Sequence, residues 1–209
     1  MDFDGTIIDV SARHYKVYKI VTKKNVNKNL LSKNRYWEKR RSGMSFVKVI
    51  RETHKLSDDS YSERRYAELI EMPRFLNLDR KLKGVKSVLK RLRVHANVVL
   101  VTLRHNHKNL IRQLKQLGLD RAFDQVLSDI DGGFDAKKTK QKLIENSPFN
   151  SEIKYIVGDT EVDIESGRAA GCITIAVCFG MRQREYLDGF SPDHIIDSIS
   201  ELPDIVGCM

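Results

Sequence analysis

The chain is 209 residues long, 41% hydrophobic and 31% charged, which suits a soluble globular protein with one good core, or a core and a small appendage. No apolar run approaches the roughly 20 residues needed to span a bilayer, and the acidic start after Met1 lacks the basic and apolar regions of a signal peptide; a cytoplasmic protein without membrane attachment is expected. Cys172, Cys178 and Cys208 show neither CxxC nor metal-ligand spacing, which argues against a disulfide framework or a zinc site and for reduced thiols.

The net charge of +9 is unevenly spread: residues 13–93 carry 24 Lys+Arg against 8 Asp+Glu, and the remainder 13 against 20. A basic half can track a nucleic-acid backbone or concentrate a small anionic substrate over an acidic, cation-holding half. It can equally be a solvated, lysine-rich helical surface.

In chain order, the basic half reads as helical. Residues 12–28 place Tyr15, Val17, Tyr18, Val21 and Val26 on an amphipathic pattern, and helical patterns follow from Arg35 to His54 and from Ser57 to Glu71, broken at 55–57 and at Pro73. From residue 84 the texture changes. A helix over 84–93 precedes the apolar run Val98 to Thr102; a helix from Asn106 ends at Gly118; a weak strand at 125–127, a helix over 137–146, a strand at 155–157, a helix over 162–171 and a strand at 173–177 follow. Short apolar strands alternating with helices imply an α/β fold with a doubly covered parallel sheet, whose ligand site lies at the carboxyl ends of the strands. No internal repeat interrupts this order.

Two aspartate clusters fall on that edge. Asp2-Phe3-Asp4-Gly5-Thr6 opens the chain, and Gly158-Asp159-Thr160-Glu161-Val162-Asp163 closes the strand at 155–157. Converging carboxylates bind a hard cation or divide nucleophile and acid roles, so the clusters suggest metal-assisted phosphoryl chemistry. Thr102, closing another strand, offers a hydroxyl, and Gly5-Thr6 offer backbone N–H groups for phosphate oxygens. Asp159 and Asp163 alone would also suit a helix N-terminus favoured by the dipole.

The combination resembles the haloacid dehalogenase superfamily of phosphohydrolases over nearly the whole chain. Asp2-Phe3-Asp4-Gly5-Thr6 looks like its first motif, Thr102 its second, a lysine in Asp135-Ala136-Lys137-Lys138 its third, and Gly158 to Asp163 its fourth, with Gly167-Arg168-Ala169-Ala170-Gly171 also matching. The resemblance implies a Rossmann-like doubly wound core of residues 1–11 and 81–209 with an inserted all-helical cap of residues 12–80, similar to the phosphoglycolate phosphatase and β-phosphoglucomutase branch. It implies that Asp2 is the nucleophile, becoming an aspartyl phosphate, and that Asp4 protonates the leaving group and then activates water. Mg2+ would sit on Asp2, the main-chain carbonyl of Asp4, Asp159 and Asp163, and Gly5, Thr6, Thr102 and the lysine would hold the phosphoryl group. Lys137 is favoured for that lysine, with Lys138 and Lys140 close by and the proline that often follows it in relatives absent. Asp4 argues against a dehalogenase.

In the cap, His14 stands where the mutase branch carries a hinge histidine, or is simply a polar residue at a helix start. The segment Arg40-Arg41-Ser42-Gly43-Met44-Ser45 looks like the loop that reads the substrate, with Arg41 pairing a second anion, or like an ordinary helix–helix turn. Relatives place about five apolar residues before the first aspartate, whereas Met1 alone precedes Asp2, so a truncated or misassigned start is expected.

The function implied is a Mg2+-dependent phosphatase of a small phosphorylated metabolite. The alternatives are a sugar phosphomutase of the β-phosphoglucomutase type, which the second acid pair in the fourth motif weakens, and a basic-cap protein that binds or acts on nucleic acid, which lacks the interleaved aromatics of a stacking platform. These motifs specify neither the substrate nor the oligomeric state.

Overall fold

The computed structural model describes residues 1–23, 30–54, 59–133, 135–149 and 154–207. The expected helical stretch beyond residue 23, with Val26, the break at 55–57 and Cys208 lie outside these. The chain divides into two compact units, one of Met1–Asp9 and Arg80–Met209, the other of Val10–Asp79. No helix among the described residues is long and apolar enough to cross a membrane.

Strand β1 (Ile8–Asp9) leads into the helical unit. There, α1 (Ser11–Lys23), α2 (Lys33–Arg41), α3 (Phe46–His54), α4 (Asp59–Ile70) and α5 (Pro73–Leu76) surround an apolar centre of Val17, Tyr18, Val21, Tyr36, Val49, Ile50, Leu69 and Phe75. Apolar positions recurring at helical spacing give each helix a buried stripe, and Tyr18 stacks on Tyr36 with centroids 4.6 Å apart. The helical stretch from Arg35 to His54 is two helices, parted within the segment Arg40 to Ser45. Ser42 N–H bonds back to Glu38 O at 3.0 Å, Gly43 takes φ +91°, and Ser45 Oγ accepts from Lys48 N at 3.1 Å. A left-handed residue ends one helix and a serine caps the next. The Arg13 guanidinium lies 3.1 Å from Asp79, both side chains almost wholly buried.

In the other unit β2 (Arg80–Lys81) pairs antiparallel with β1, Ile8 opposite Lys81. Then come α6 (Val85–His95), β3 (Val99–Thr102), α7 (His107–Leu117), β4 (Gln125–Ser128), α8 (Ala136–Glu145), β5 (Tyr155–Gly158), α9 (Glu161–Ala169), β6 (Ile173–Val177), α10 (Arg184–Asp188), β7 (His194–Ile196) and α11 (Leu202–Ile205). Asn106 caps α7 through Asn109 N, and Gly118 ends it at φ +63°. β3 runs parallel to β4 (Thr102 opposite Ser128), and β5 parallel to β6 (Gly158 opposite Ala176), which is parallel to β7.

The N-terminal segment lies between these two sets of strands. Met1 donates its ammonium to Val99 O at 2.6 Å and accepts from Val101 N at 2.9 Å, while Asp2 N donates to Val157 O at 2.8 Å. Residues 1–3 therefore carry ladder bonds to β3 on one side and β5 on the other. Met1 and Phe3 are buried with Leu100 and Val157.

Candidate active site

Because parallel strands end at one edge, Asp2, Thr102 and Asp159 emerge from three neighbouring segments: residues 1–3, β3 and β5. Asp163 stands in the first turn of α9, where it forms a capping box with Thr160: its Oδ2 accepts from Thr160 N at 3.0 Å and from Thr160 Oγ1 at 2.7 Å. Asp159 Oδ2 accepts from Met181 N at 2.6 Å. One oxygen each from Asp2, Asp159 and Asp163, all buried, lie within 4.8 Å of one another.

Gly5 shapes the floor of this cluster. It adopts φ +83°, and a Cβ there would lie 1.9 Å from Asp159 Oδ2, so any side chain would collide with the carboxylate as well as strain the backbone. Its N–H donates to Ile8 O at 2.9 Å. The expectation that the Gly5 N–H grips phosphate is thereby corrected: the tight turn back to β1 takes the donor for itself. Thr6, whose backbone N–H was expected on phosphate, is fully buried, and its hydroxyl faces Asp159 Oδ1 at 3.4 Å, where it supports a carboxylate. Thr102 is buried at the end of β3.

The lysine that reaches the carboxylate cluster is Lys140, not Lys137. Lys140 Nζ donates to Asp2 Oδ1 at 2.7 Å and also to Asp163 Oδ1, and its side chain is 3% exposed. Lys137 is exposed and lies 3.5 Å from Glu165 on α9. Helix side chains lean toward the N-terminus of their helix, so a site level with the start of α8 is reached from one turn further in. Lys138 is exposed and lies 3.8 Å from its neighbour Asp135.

Burial pushes the Asp2 carboxyl up to about 6, with the Lys140 ammonium pulling it back and the Asp163 carboxylate adding to the rise. Burial, then repulsion from Asp2 and Asp163, pushes Asp159 well above its ordinary value. Burial works against the charged form of Lys140, but the Asp163 and Asp2 carboxylates outweigh it and raise its pKa. Three buried carboxylates around one ammonium leave negative charge that a hard divalent cation would balance, and oxygen donors are what such an ion takes. The residues fit Mg2+. Since Lys140 and Thr160 already hold both oxygens of Asp163, Asp163 fits a supporting position behind Asp159.

Asp4 does not join this carboxylate group with its side chain. Arg104 forks onto it, Nε to Oδ2 at 2.7 Å and Nη2 to Oδ1 at 2.6 Å. Arg104 was not singled out in the sequence, although it stands two residues beyond Thr102 as Asp4 stands two beyond Asp2. That shared offset on adjacent parallel segments was the available signal.

His14 is 3% exposed; its Nδ1 is 3.0 Å from Tyr66 OH and its ring is edge-on to Trp37. A buried aromatic setting replaces the polar surface position. Arg41 is the last residue of α2 and Gly43 makes the turn to α3.

The model of the haloacid dehalogenase-like hydrolases matches residues 1–177. The pyrophosphatase PpaX of Halalkalibacterium halodurans is 28% identical over 127 residues, covering 60% of this chain and 59% of that protein; the chain thus spans about three fifths of the length of this curated relative. A haloacid dehalogenase-like hydrolase from Streptococcus pneumoniae superposes with a TM-score of 0.78 at 18% identity, over 98% of this chain and 95% of that one. The HAD-hydrolase YfnB from Bacillus subtilis, bound to magnesium, gives 0.66 at 20% identity, over 99% and 96%. At such identities the structural likeness is one of fold, and the family rests on the motif-bearing residues 1–177. The chain belongs to the haloacid dehalogenase-like hydrolases.

Proposed function

We propose that the chain is a Mg2+-dependent phosphatase of a small phosphorylated metabolite, working through an aspartyl phosphate on Asp2. The observation that carries this reading is the buried assembly of Asp2, Lys140, Asp159 and Asp163 at the strand ends, with Asp4 two residues from the nucleophile. An Asp2 oxygen attacks phosphorus while the bond to the leaving oxygen breaks and Asp4 gives that oxygen a proton. Water then attacks the acyl phosphate, Asp4 takes the proton back, inorganic phosphate departs and Asp2 is restored. Lys140 holds Asp2 by its Oδ1 and offers positive charge to the transferring oxygens, as Thr102 offers its hydroxyl.

Asp2, Asp159 and the main-chain carbonyl of Asp4 would hold the metal ion, with Asp163 behind them. Bound there, the ion would draw negative charge from the phosphoryl oxygens. Support also comes from the family, and from relatives named as a pyrophosphatase and as a magnesium-bound hydrolase. The test is turnover of p-nitrophenyl phosphate with Mg2+ by the wild type and by Asp2→Asn. The variant is expected to lose at least about a thousandfold in kcat; full turnover by D2N would sink the nucleophile assignment.

A further inference from the structure

We propose that Arg182 is a positioning residue for the carboxylate of Asp159, acting through a latch with Glu161 that fixes the loop between β6 and α10 against the candidate metal site. This rests on the Mg2+ reading above. It extends the site to residues 178–183, which lie beyond the residues 1–177 that the family's model matches.

The first ground is how Asp159 is held. Its Oδ1 faces the Thr6 hydroxyl at 3.4 Å, and its Oδ2 accepts from Met181 N at 2.6 Å. The shorter contact thus comes from residues 178–183, a stretch outside any helix or strand. Gly180 lets that stretch lie against the site: a Cβ there would stand 2.3 Å from Asp159 Oδ2 and 2.6 Å from Gly5 O, so the loop approaches only as bare backbone. A carboxylate oxygen has two lone pairs. The Met181 bond therefore fixes the plane of the Asp159 carboxylate and leaves it capacity for a cation.

The second ground is what holds Met181. Its C=O accepts from Arg182 Nη1 at 3.3 Å, while its N–H is on Asp159. The same guanidinium forks onto Glu161 in the first turn of α9, Nε to Oε2 at 2.8 Å and Nη2 to Oε1 at 2.9 Å, and its carbon stands 5.4 Å from the Tyr186 ring centroid. Two parallel charge-assisted bonds set angle as well as distance. The Arg182 side chain is 9% exposed and that of Glu161 23%, so water competes little for the pair. Glu161 stands two residues from Asp159 and two from Asp163, and the helix start that carries those acids is also the anchor of the loop.

The sign of the effect separates a latch from a mere charge. Positive charge beside a cation site weakens cation binding, so an Arg182 that acted through charge alone would make Mg2+ bind more tightly when removed. Loss of a latch makes Mg2+ bind more weakly.

The experiment titrates Mg2+ into the metal-free protein without substrate, reading the apparent Kd from calorimetry and from the Mg2+ dependence of Tm. Arg182→Gln is expected to weaken Mg2+ binding by about 10- to 100-fold, the range for partners that orient a metal's ligands, and Arg182→Lys to recover part of the loss. Arg184→Gln, which breaks an exposed pair with Asp197 at the start of α10, is expected to stay within about twofold of wild type. The double variant E161Q/R182Q is expected to lose no more than the weaker-binding single variant, because the two side chains act as one unit. If R182Q folds poorly, Glu161→Gln carries the test in about 0.5 M KCl, where the field of a lost surface charge is largely screened and a lost orientation is not: Mg2+ binding weakened about tenfold is expected, and unchanged binding overturns the proposal. Unchanged or tighter binding by R182Q also overturns it and leaves the Mg2+ site standing. A wild type that shows neither calorimetric binding nor a rise in Tm with Mg2+ defeats the metal reading together with the latch.

Discussion

The Lys140 ammonium lies 2.7 Å from the Asp2 carboxylate, although 138 residues separate them. The contact joins α8 to the N-terminal segment, and through Asp163 it joins α9 as well. One buried cation thus ties together three pieces of chain that each bring a residue of the site. Removing one member of such an assembly leaves the others as uncompensated buried charge.

Lys140→Met is therefore expected to destabilise the protein by about 3 kcal/mol or more, and to abolish detectable phosphatase turnover. Lys137→Met, which removes an exposed lysine 3.5 Å from Glu165, is expected to stay within about 0.5 kcal/mol of wild type. Urea unfolding of the two variants decides between the lysines. The reverse order of effects would restore Lys137.

Magnesium is expected to stabilise the folded protein through the carboxylate group. A ligand bound to the native state alone at a hundred times its Kd adds about 2.7 kcal/mol, and thermal melts with and without Mg2+ read this without any substrate. Asp159→Asn removes a buried member of the group and is expected to shrink the Mg2+-dependent rise in Tm. An undiminished rise would place the ion elsewhere.

The helical unit carries its own buried ion pair. Asp79→Asn leaves Arg13, whose side chain is 1% exposed, without the carboxylate 3.1 Å away. A loss of about 3 kcal/mol is expected, measured by urea unfolding. A change below about 0.5 kcal/mol would show that the pair contributes little beyond packing.

Asp193 supplies a pH-dependent contribution. Its Oδ2 accepts from Thr174 Oγ1 and Thr174 N, each at 2.7 Å, and these bonds hold its carboxyl below the ordinary 3.8. A carboxyl whose native pKa is depressed contributes stability that is present above its unfolded pKa and is lost as pH falls through the native one. Asp193→Asn is thus expected to be less stable than wild type at pH 7, with the gap closing as pH falls below about 3.8. A gap that stays constant down to pH 2.5 would show that the ionised form is not what Thr174 stabilises.

Much of the core was legible in the residues themselves. The continuous apolar runs became β3, β5 and β6, and Asn106 and Gly118 bound α7 as a cap and a left-handed stop should. What escaped was short. β1, β2 and β7 have two or three residues each, too few for any period to be read. The break read at Arg40 to Ser45 is there, turning on Gly43 at φ +91°.

The candidate site divides along the same line. Thr102, Asp159 and Asp163 stand at strand ends or a helix start that local pattern reveals, whereas Asp2 and Asp4, with Met1 alone before them, were singled out by their residue types and by the resemblance. Which lysine reaches Asp2, that the Gly5 and Thr6 polar groups turn inward, and that Arg104 grips Asp4 were decided only by the fold. Those facts depend on where side chains of distant segments meet, and on the direction a helix leans its side chains. No local propensity encodes either. Residue types and their order along the chain point to a family; contacts across about 100 residues, such as Asp4 with Arg104, decide which side chains meet.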